Sequence, residues 1–194
     1  MNHCKQFLAE TAAIASQIDC EQIERMVKEL VSLRERKGRL FVIGLGGSAA
    51  NASHMVNDLR KLCEIEAYAP TDNVAELTAR ANDDDWQFIF RDWFKDYVHG
   101  NDALFVLSVG GGSLSVPVST PITCAVAWAK EIPQIRVLGI IGRDGGVVKK
   151  WGDCVVVIPP LYPERITPHT EAFQAVVWHC LVSHPDLQRN KTKW

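Results

Sequence analysis

The sequence predicts an α/β protein built on a doubly wound, mainly parallel sheet of five strands. Three observations support this fold class: strand and helix signals alternate after residue 37, the strands are uninterrupted apolar runs, and small polar turns follow three of them. Apolar runs such as 103–107 and 137–141 are typical of strands buried on both faces. Strands that alternate with helices through right-handed crossovers form a parallel sheet, and its ligands bind at the carboxyl ends of the strands.

The periodicity of the apolar residues defines the elements. Residues 3–37 predict two helices, because Ile23, Met26 and Val27 recur with Leu30 at helical spacing in the second. The predicted strands are 39–44, 65–69, 103–109, 136–142 and 153–158, and the predicted core helices are 48–62, 73–81, 85–98, 121–131 and 168–183. We expect one domain, with a helical segment 1–37, a core 38–185 and a solvated tail 186–194.

Composition excludes several classes of function. The 194 residues carry a formal net charge of −2, which gives no general attraction to nucleic acid or to acidic membranes. There is no apolar run long enough to predict a membrane span, and the N-terminus has no secretory apolar segment. The six cysteines are scattered without a Cys-x-x-Cys pair, which favours reduced thiols in a cytoplasmic protein.

The first predicted strand ends in a glycine-rich turn at the start of a helix. Gly46, Gly47 and Ser48 let an anion approach backbone N–H groups, and the helix N-terminus adds partial positive charge. His54 and Asp58 lie four residues apart, and therefore on one face of that helix, about one turn beyond the anion site. An anion site beside a His/carboxylate pair indicates a phosphorylated substrate with chemistry next to it.

Two further strands are followed by glycine-rich turns, 108–113 and 142–146. Any one such turn is explained by an ordinary strand-to-helix connection in which glycine supplies a positive φ. The first and second turns, however, each carry serine at the same edge of the sheet, and this combination favours a phosphate site. We expect the third turn to be structural.

Four motifs together resemble the SIS (sugar isomerase) domain family in its phosphoheptose isomerase branch. They are Gly-x-Gly-Gly-Ser-Ala-Ala-x-Ala-x-His at 44–54, Ala-Arg-Ala-Asn-Asp at 79–83, Ile-Gly-Arg-Asp-Gly-Gly at 141–146, and Thr167-Pro168 followed by His179. The resemblance implies that the whole chain is one SIS domain, a Rossmann-like three-layer α/β/α sandwich. It also implies a homotetramer in which the N-terminal helices pack and the active sites lie at subunit interfaces.

The resemblance further implies a reaction and a set of site residues. The reaction interconverts sedoheptulose 7-phosphate and D-glycero-D-manno-heptose 7-phosphate through an enediol, with a divalent metal, zinc, and no nucleotide cofactor. The implied metal ligands are His54, Asp58, Glu171 and His179, with Asp58 and His179 as the catalytic pair. The implied substrate and phosphate contacts are Gly46, Gly47, Ser48, Asn51, Asn82, Asp83, Ser108, Gly111 and Ser113.

Several residues depart from the family pattern. Asp58 stands where the family has Glu, Glu171 where it has Gln, and Leu45 where it usually has Asn. Residues 109–110, Val-Gly, replace hydroxyl residues of the second turn, so a phosphate there loses side-chain donors. A longer loop that contains prolines follows this turn.

The residues themselves leave alternatives open. Two histidines and two carboxylates suit zinc, but equally nickel, iron or manganese. Glu171 and His179 are eight residues apart, a rise of about 12 Å along a helix, so they meet only if long side chains lean together, the helix is distorted or two subunits contribute. Each of these residues also has a purely structural explanation. His54 could pair with Asp58 alone, Glu171 could complement a helix dipole, and His179 could be a buried core histidine.

Because of these departures, three hypotheses about function stay open. The first is phosphoheptose isomerase. The second is a non-catalytic SIS protein, either a partner of the bacterial replication initiator or a sugar-phosphate sensor. The third is an isomerase of a different phosphosugar. The other histidines of the C-terminal region, His169 and His184, are expected at the surface.

Overall fold

Five apolar segments of the chain form one sheet in the computed structural model, which describes residues 2–192. The strands are β1 (Leu40–Gly44), β2 (Ala67–Tyr68), β3 (Ala103–Ser108), β4 (Arg136–Ile141) and β5 (Cys154–Val157). Within the described range they pair in the order β2-β1-β3-β4-β5, and every pair is parallel. The predicted fold class is therefore confirmed.

Helices cover both faces of this sheet. They are α1 (His3–Ala15), α2 (Cys20–Glu35), α3 (Gly47–Cys63), α4 (Val74–Asp83), α5 (Ile89–Tyr97), α6 (Thr120–Lys130), α7 (Gly146–Trp151) and α8 (Ile166–Val182). The pleat of β1 sends alternate side chains to opposite faces. Leu40 and Val42 join a core with α1, α2, α3 and α8, whereas Phe41 and Ile43 join a second core with α5, α6 and α7.

The order of the strands places a crevice beside β1. From β1 the chain crosses to β2 on one side of it and then returns to β3 on the other. In doubly wound sheets this reversal opens a binding crevice at the carboxyl ends of the two strands. The loops that begin at Leu45 and Val109 therefore meet at one edge of the sheet.

Three predicted segments differ from the structure. The predicted strand 65–69 is shortened to Ala67–Tyr68. The third glycine-rich turn continues into α7, which the sequence did not predict because paired glycines disfavour a helix. The predicted solvated tail is partly fixed: Leu187 is buried, and the backbone N–H groups of Arg189 and Asn190 donate to the Leu62 carbonyl at 2.7 and 3.0 Å. Residues 193 and 194 of that tail lie outside the described residues.

His169 is not at the surface, as the sequence predicted, but buried between α1 and α8. Its ring stacks on Phe7 at 4.4 Å between centroids, and its Nε2 donates to Glu10 at 3.0 Å. The prediction was wrong because both partners lie on α1, far away in the sequence. His184 is half-buried.

Within residues 2–192 there is no helix with the length and apolarity that crossing a bilayer requires.

Candidate active site and metal centre

A cavity of about 850 Å³ lies where β1, β3 and β4 end. Its wall includes all three serines that the sequence assigns to phosphate binding. These are Ser48, Ser108 and Ser113. The predicted turns therefore converge on one cavity at the carboxyl edge of the sheet.

Each of these serine oxygens accepts a hydrogen bond from the protein. Ser48 Oγ accepts from the Gln174 side chain at 3.0 Å, and Ser108 Oγ accepts from the Gly111 N–H at 3.0 Å. Ser113 Oγ accepts from the N–H groups of the next loop residues, 115 and 116, at 3.2 and 3.1 Å. Since a hydroxyl can accept and donate at once, these bonds hold the oxygens in position while each O–H can still donate to an anion.

The second and third turns are interlocked. A Cβ at Gly111, whose φ is +68°, would collide with the carbonyl oxygen of Gly145. The N–H groups of Val147 and Val148 donate to Gly112 and Gly111 carbonyls at 3.2 and 3.0 Å. The third turn thus holds the second turn in place and also contributes side chains to the cavity wall.

A second group of residues lies farther along α3, where it packs against α8. Asp58 Oδ2 is 3.5 Å from His54 Nε2 and 3.5 Å from His179 Nε2. Trp178 Nε1–H donates to the same oxygen at 3.2 Å, and Asn57 donates to Oδ1 at 3.2 Å. Asp58 is buried, whereas the two histidine side chains are 56% and 52% exposed. A buried carboxylate thus lies between two histidines that solvent reaches.

A hydrogen bond from the ring nitrogen that points away from Asp58 fixes the orientation of His179. Its Nδ1 lies 2.8 Å from the Ala175 carbonyl, which can only accept, so Nδ1 donates there and Nε2 is directed toward Asp58. A bond of this kind from the remote ring nitrogen is typical of histidines that bind metal ions.

Three of the four predicted metal ligands come together. The donor atoms of His54, Asp58 and His179 all lie within 4.8 Å of one another. Two nitrogens and a carboxylate oxygen suit zinc, and ligands about 2.1 Å from a tetrahedral ion lie roughly 3.4 Å apart, close to the observed 3.5 Å. The residues therefore fit a divalent metal. Glu171 is outside this group: its carboxylate lies against Gly47 at the start of α3.

A buried hydrogen-bond network joins α3 to α8 between these two groups. Asn51 Nδ2 donates to the Gln174 side-chain oxygen at 2.8 Å and to the Glu171 carbonyl at 2.9 Å. Gln174 is fully buried and also reaches Ser48. The sequence analysis missed the roles of Gln174 and Trp178, because only the packing of the two helices shows which side chains meet.

Asn82 and Asp83 lie apart from both groups. They are exposed at the end of α4, where Asn82 donates to Asp83 at 2.7 Å, and they do not line the cavity of the single chain. Arg143 and Lys150 do line it, although sequence analysis did not select them. Their position after a strand of the sheet was the available signal, but the expectation of a purely structural third turn removed them from consideration.

The chain has similar sequences and structures among known proteins, although no protein-family model matches it. A phosphoheptose isomerase of Helicobacter pylori is 27% identical over 184 residues, which cover 91% of this chain and 90% of that protein. A phosphoheptose isomerase of Chlorobium phaeobacteroides is 31% identical over 141 residues, 69% of this chain and 59% of that protein. The lincomycin biosynthesis protein LmbN of Streptomyces lincolnensis is 30% identical over 154 residues, 76% and 56% of the two chains.

Solved structures give the same result for the fold. Phosphoheptose isomerase GmhA from Neisseria gonorrhoeae superposes with a TM-score of 0.78 at 23% identity, covering 92% of this chain and 94% of that one. A phosphoheptose isomerase from Francisella tularensis gives 0.77 at 22% identity, covering 94% and 97%.

The parallel sheet, the serine-lined cavity at its carboxyl edge and these superpositions show an α/β sandwich of the SIS type. In sequence, the chain is similar to phosphoheptose isomerases over most of its length, and it has their fold.

Proposed function

We propose that this protein is a phosphoheptose isomerase, which interconverts sedoheptulose 7-phosphate and D-glycero-D-manno-heptose 7-phosphate through an enediol. The observation that carries the proposal is the buried carboxylate of Asp58 between two histidines, on the same helix as Ser48 of the cavity. Six residues, a rise of about 9 Å, separate Ser48 from His54. An extended heptose phosphate is roughly 10 Å from C1 to phosphorus, estimated from standard bond lengths, so its two ends match the two groups.

The isomerisation moves a proton between C1 and C2 and needs groups that handle the neighbouring oxygens. In the proposal, Asp58 takes the proton from carbon, and its carboxylate is oriented by the Trp178 N–H. His179 is the proposed partner of Asp58 in catalysis, and the bond from its Nδ1 to Ala175 directs its Nε2 into the site. Microscopic reversibility assigns the same groups the opposite roles in the reverse reaction.

The proposed cofactor is one divalent metal ion, zinc, held by His54, Asp58 and His179. When bound, it would polarise the sugar carbonyl as a Lewis acid. The assignment of Glu171 as a fourth ligand stays a prediction.

The serines of the cavity are proposed to bind the phosphate end of the substrate. Their oxygens are held by bonds from Gln174, Gly111 and the loop after Ser113. The other assigned contacts remain predictions: Gly46, Gly47, Asn51, Asn82 and Asp83.

A homotetramer in the cytoplasm is part of the proposal. Helix α4 buries none of its residues in the single chain, and Val74 on it is 69% exposed, as expected of a face that a second subunit covers. Asn82 and Asp83, at the end of that helix, would then reach a neighbouring subunit's site. The six cysteines are all unpaired, which agrees with a reducing compartment.

The test is a turnover assay on the purified protein, after metal analysis, with sedoheptulose 7-phosphate in the presence and absence of a chelator. We expect formation of the aldose, its loss with the chelator and its return when zinc is added back. Absence of turnover by protein that contains metal would overturn the proposed substrate.

An isomerase of a different phosphosugar is a second candidate, and the cavity wall favours it. Leu45 lies in the wall, and Leu114, Val116 and Val118 of the lengthened loop line it while remaining exposed. Such a surface suits a sugar with fewer hydroxyl groups than a heptose. Turnover of a deoxy or larger phosphosugar, with none of sedoheptulose 7-phosphate, would establish it.

A further inference from the structure

The cationic side chains of the cavity come from the third turn, which carries Arg143, and from helix α7 after it, which carries Lys150. We infer that Arg143, assisted by Lys150 of the same cavity, binds the phosphate of the substrate in place of the hydroxyl residues missing from the second turn. This inference rests on the proposed function, because it assigns the phosphate end of the proposed sugar substrate. It also names residues that the resemblance to the family does not.

The charges of the cavity point to Arg143. The charged residues in its wall are Arg143, Asp144 and Lys150. The Asp144 carboxylate accepts from the Gly146 N–H at 3.2 Å, and the Lys150 ammonium lies 5.8 Å from the Trp151 ring. Among residues 2–192, the guanidinium of Arg143 has no hydrogen bond or ion pair to another side chain or to the backbone. A planar cation with all its donors available in a cavity matches a phosphate, which it can bind in bidentate fashion.

Arg143 also occupies the space that the second turn leaves open. A Cβ at Gly110 would have Arg143 Cδ as its nearest neighbour, at 3.8 Å. The stem of the arginine therefore passes over the position where the family has a hydroxyl residue. Arg143 adopts φ +50°, a left-handed conformation that glycine or asparagine takes more readily.

The first turn brings a negative charge close to the cavity. The Glu171 carboxylate lies against Gly47, where a Cβ would be 2.6 Å from its Oε2. A second anion at the start of α3 would be repelled by this carboxylate, since like charges at short range disfavour each other. A phosphate beside Ser48 therefore needs compensating positive charge, which Arg143 and Lys150 of the same cavity wall supply.

The experiment measures binding, so that it does not depend on turnover. Inorganic phosphate and sedoheptulose 7-phosphate are titrated calorimetrically into wild type, Arg143→Gln, Arg143→Lys, Lys150→Gln and the matched control Lys149→Gln. Lys149 is exposed on the same helix as Lys150 but does not line the cavity. Far-UV circular dichroism confirms that each variant is folded.

We expect Arg143→Gln to weaken binding of both ligands by about 10- to 100-fold, the value of hydrogen bonds to a charged group. Arg143→Lys should weaken binding less than Arg143→Gln, and Lys150→Gln should weaken it less than Arg143→Lys. The affinity of Lys149→Gln should equal that of wild type. Equal phosphate affinity of Arg143→Gln and Lys149→Gln would overturn the inference even if the enzyme turns over the heptose. Conversely, Arg143-dependent phosphate binding without turnover would sustain the inference while the proposed function fails.

Discussion

Two buried carboxylates of this chain, Glu10 and Asp58, each lie next to a histidine, yet their surroundings differ. Glu10, on α1, accepts from the Arg165 guanidinium through both oxygens, at 2.6 and 2.7 Å. Gln6 and the buried His169 donate to it as well, each at 3.0 Å. These donors occupy the carboxylate, and the hydrogen bonds from Arg165 are the main reason that its pKa is lowered to about 2.

Asp58 has no arginine among its partners. Its donors are Trp178 and Asn57, and the two histidine nitrogens at 3.5 Å are at the limit of hydrogen-bond distance. The histidines are also half-exposed, so the group is accessible from solvent. Glu10, whose two oxygens both accept short hydrogen bonds, holds helices together. Asp58, whose oxygens still have acceptor capacity, can bind a metal or move a proton. The two sites can be separated by experiment.

The largest effect is expected for Asp58→Asn. An asparagine oxygen can still accept from Trp178, so the fold should persist while the base is lost. We expect turnover of the heptose phosphate to fall by about 10²- to 10⁴-fold, the usual contribution of a general base. The measurement is kcat, with Glu10→Gln as the control that keeps wild-type activity. Equal activity of the two variants would contradict the distinction between the two carboxylates.

His179→Ala tests whether the solvent-exposed histidine next to Asp58 binds the metal. Loss of a residue that only hydrogen-bonds to a metal ligand typically lowers metal affinity by roughly 10- to 100-fold. Loss of His179, a proposed ligand itself, should lower zinc affinity by more than that. Competition with a chromogenic chelator measures the affinity. His184→Ala is the matched control, because His184 lies outside the ligand group. If zinc binds equally to both variants, His179 is not a ligand.

Glu10→Gln tests how much the buried ion pair of Glu10 with Arg165 contributes to stability. The substitution leaves the Arg165 guanidinium without its carboxylate where α1 meets α8, so we expect the melting temperature to fall by several degrees. Glu164→Gln removes an exposed carboxylate 3.8 Å from the same guanidinium and should leave the melting temperature unchanged. Equal melting temperatures of the two variants would show that Glu10 is no more important than a surface charge.

The smallest effect is the pH dependence of the same pair. The folded pKa of Glu10, about 2, lies below the ordinary value of 4.5, so its stabilisation is complete above 4.5 and is lost as the pH falls toward 2. Glu10→Gln has no such titration. The difference in unfolding free energy between wild type and Glu10→Gln should therefore be constant near neutral pH and shrink below 4.5. Chemical denaturation across that range measures it, and a difference independent of pH would refute the assignment.

Much of the fold was predictable because its strands are uninterrupted apolar runs, and their order along the chain determines a parallel sheet. The two serine-bearing turns were predictable for the same reason, since parallel strands end at one edge. Contacts between distant segments were not: His169 meets Glu10, and Gln174 meets Ser48, only after helices pack. A short helix such as α7 was missed because its backbone bonds to Gly111 and Gly112, rather than its own composition, hold it.

The interlock of the second and third turns determines where this cavity can change in evolution. Gly111 cannot gain a side chain without displacing Gly145, and Gly146 cannot gain one without meeting the Gly112 carbonyl. The two turns therefore vary as one unit or not at all. Less constrained positions lie on either side: Gly110, where a Cβ would make only an ordinary contact with Arg143 Cδ at 3.8 Å, and the exposed loop beyond Ser113. Substitutions that reshape the cavity are therefore expected at these flanking positions, while the glycines between them hold the two turns in a fixed relation.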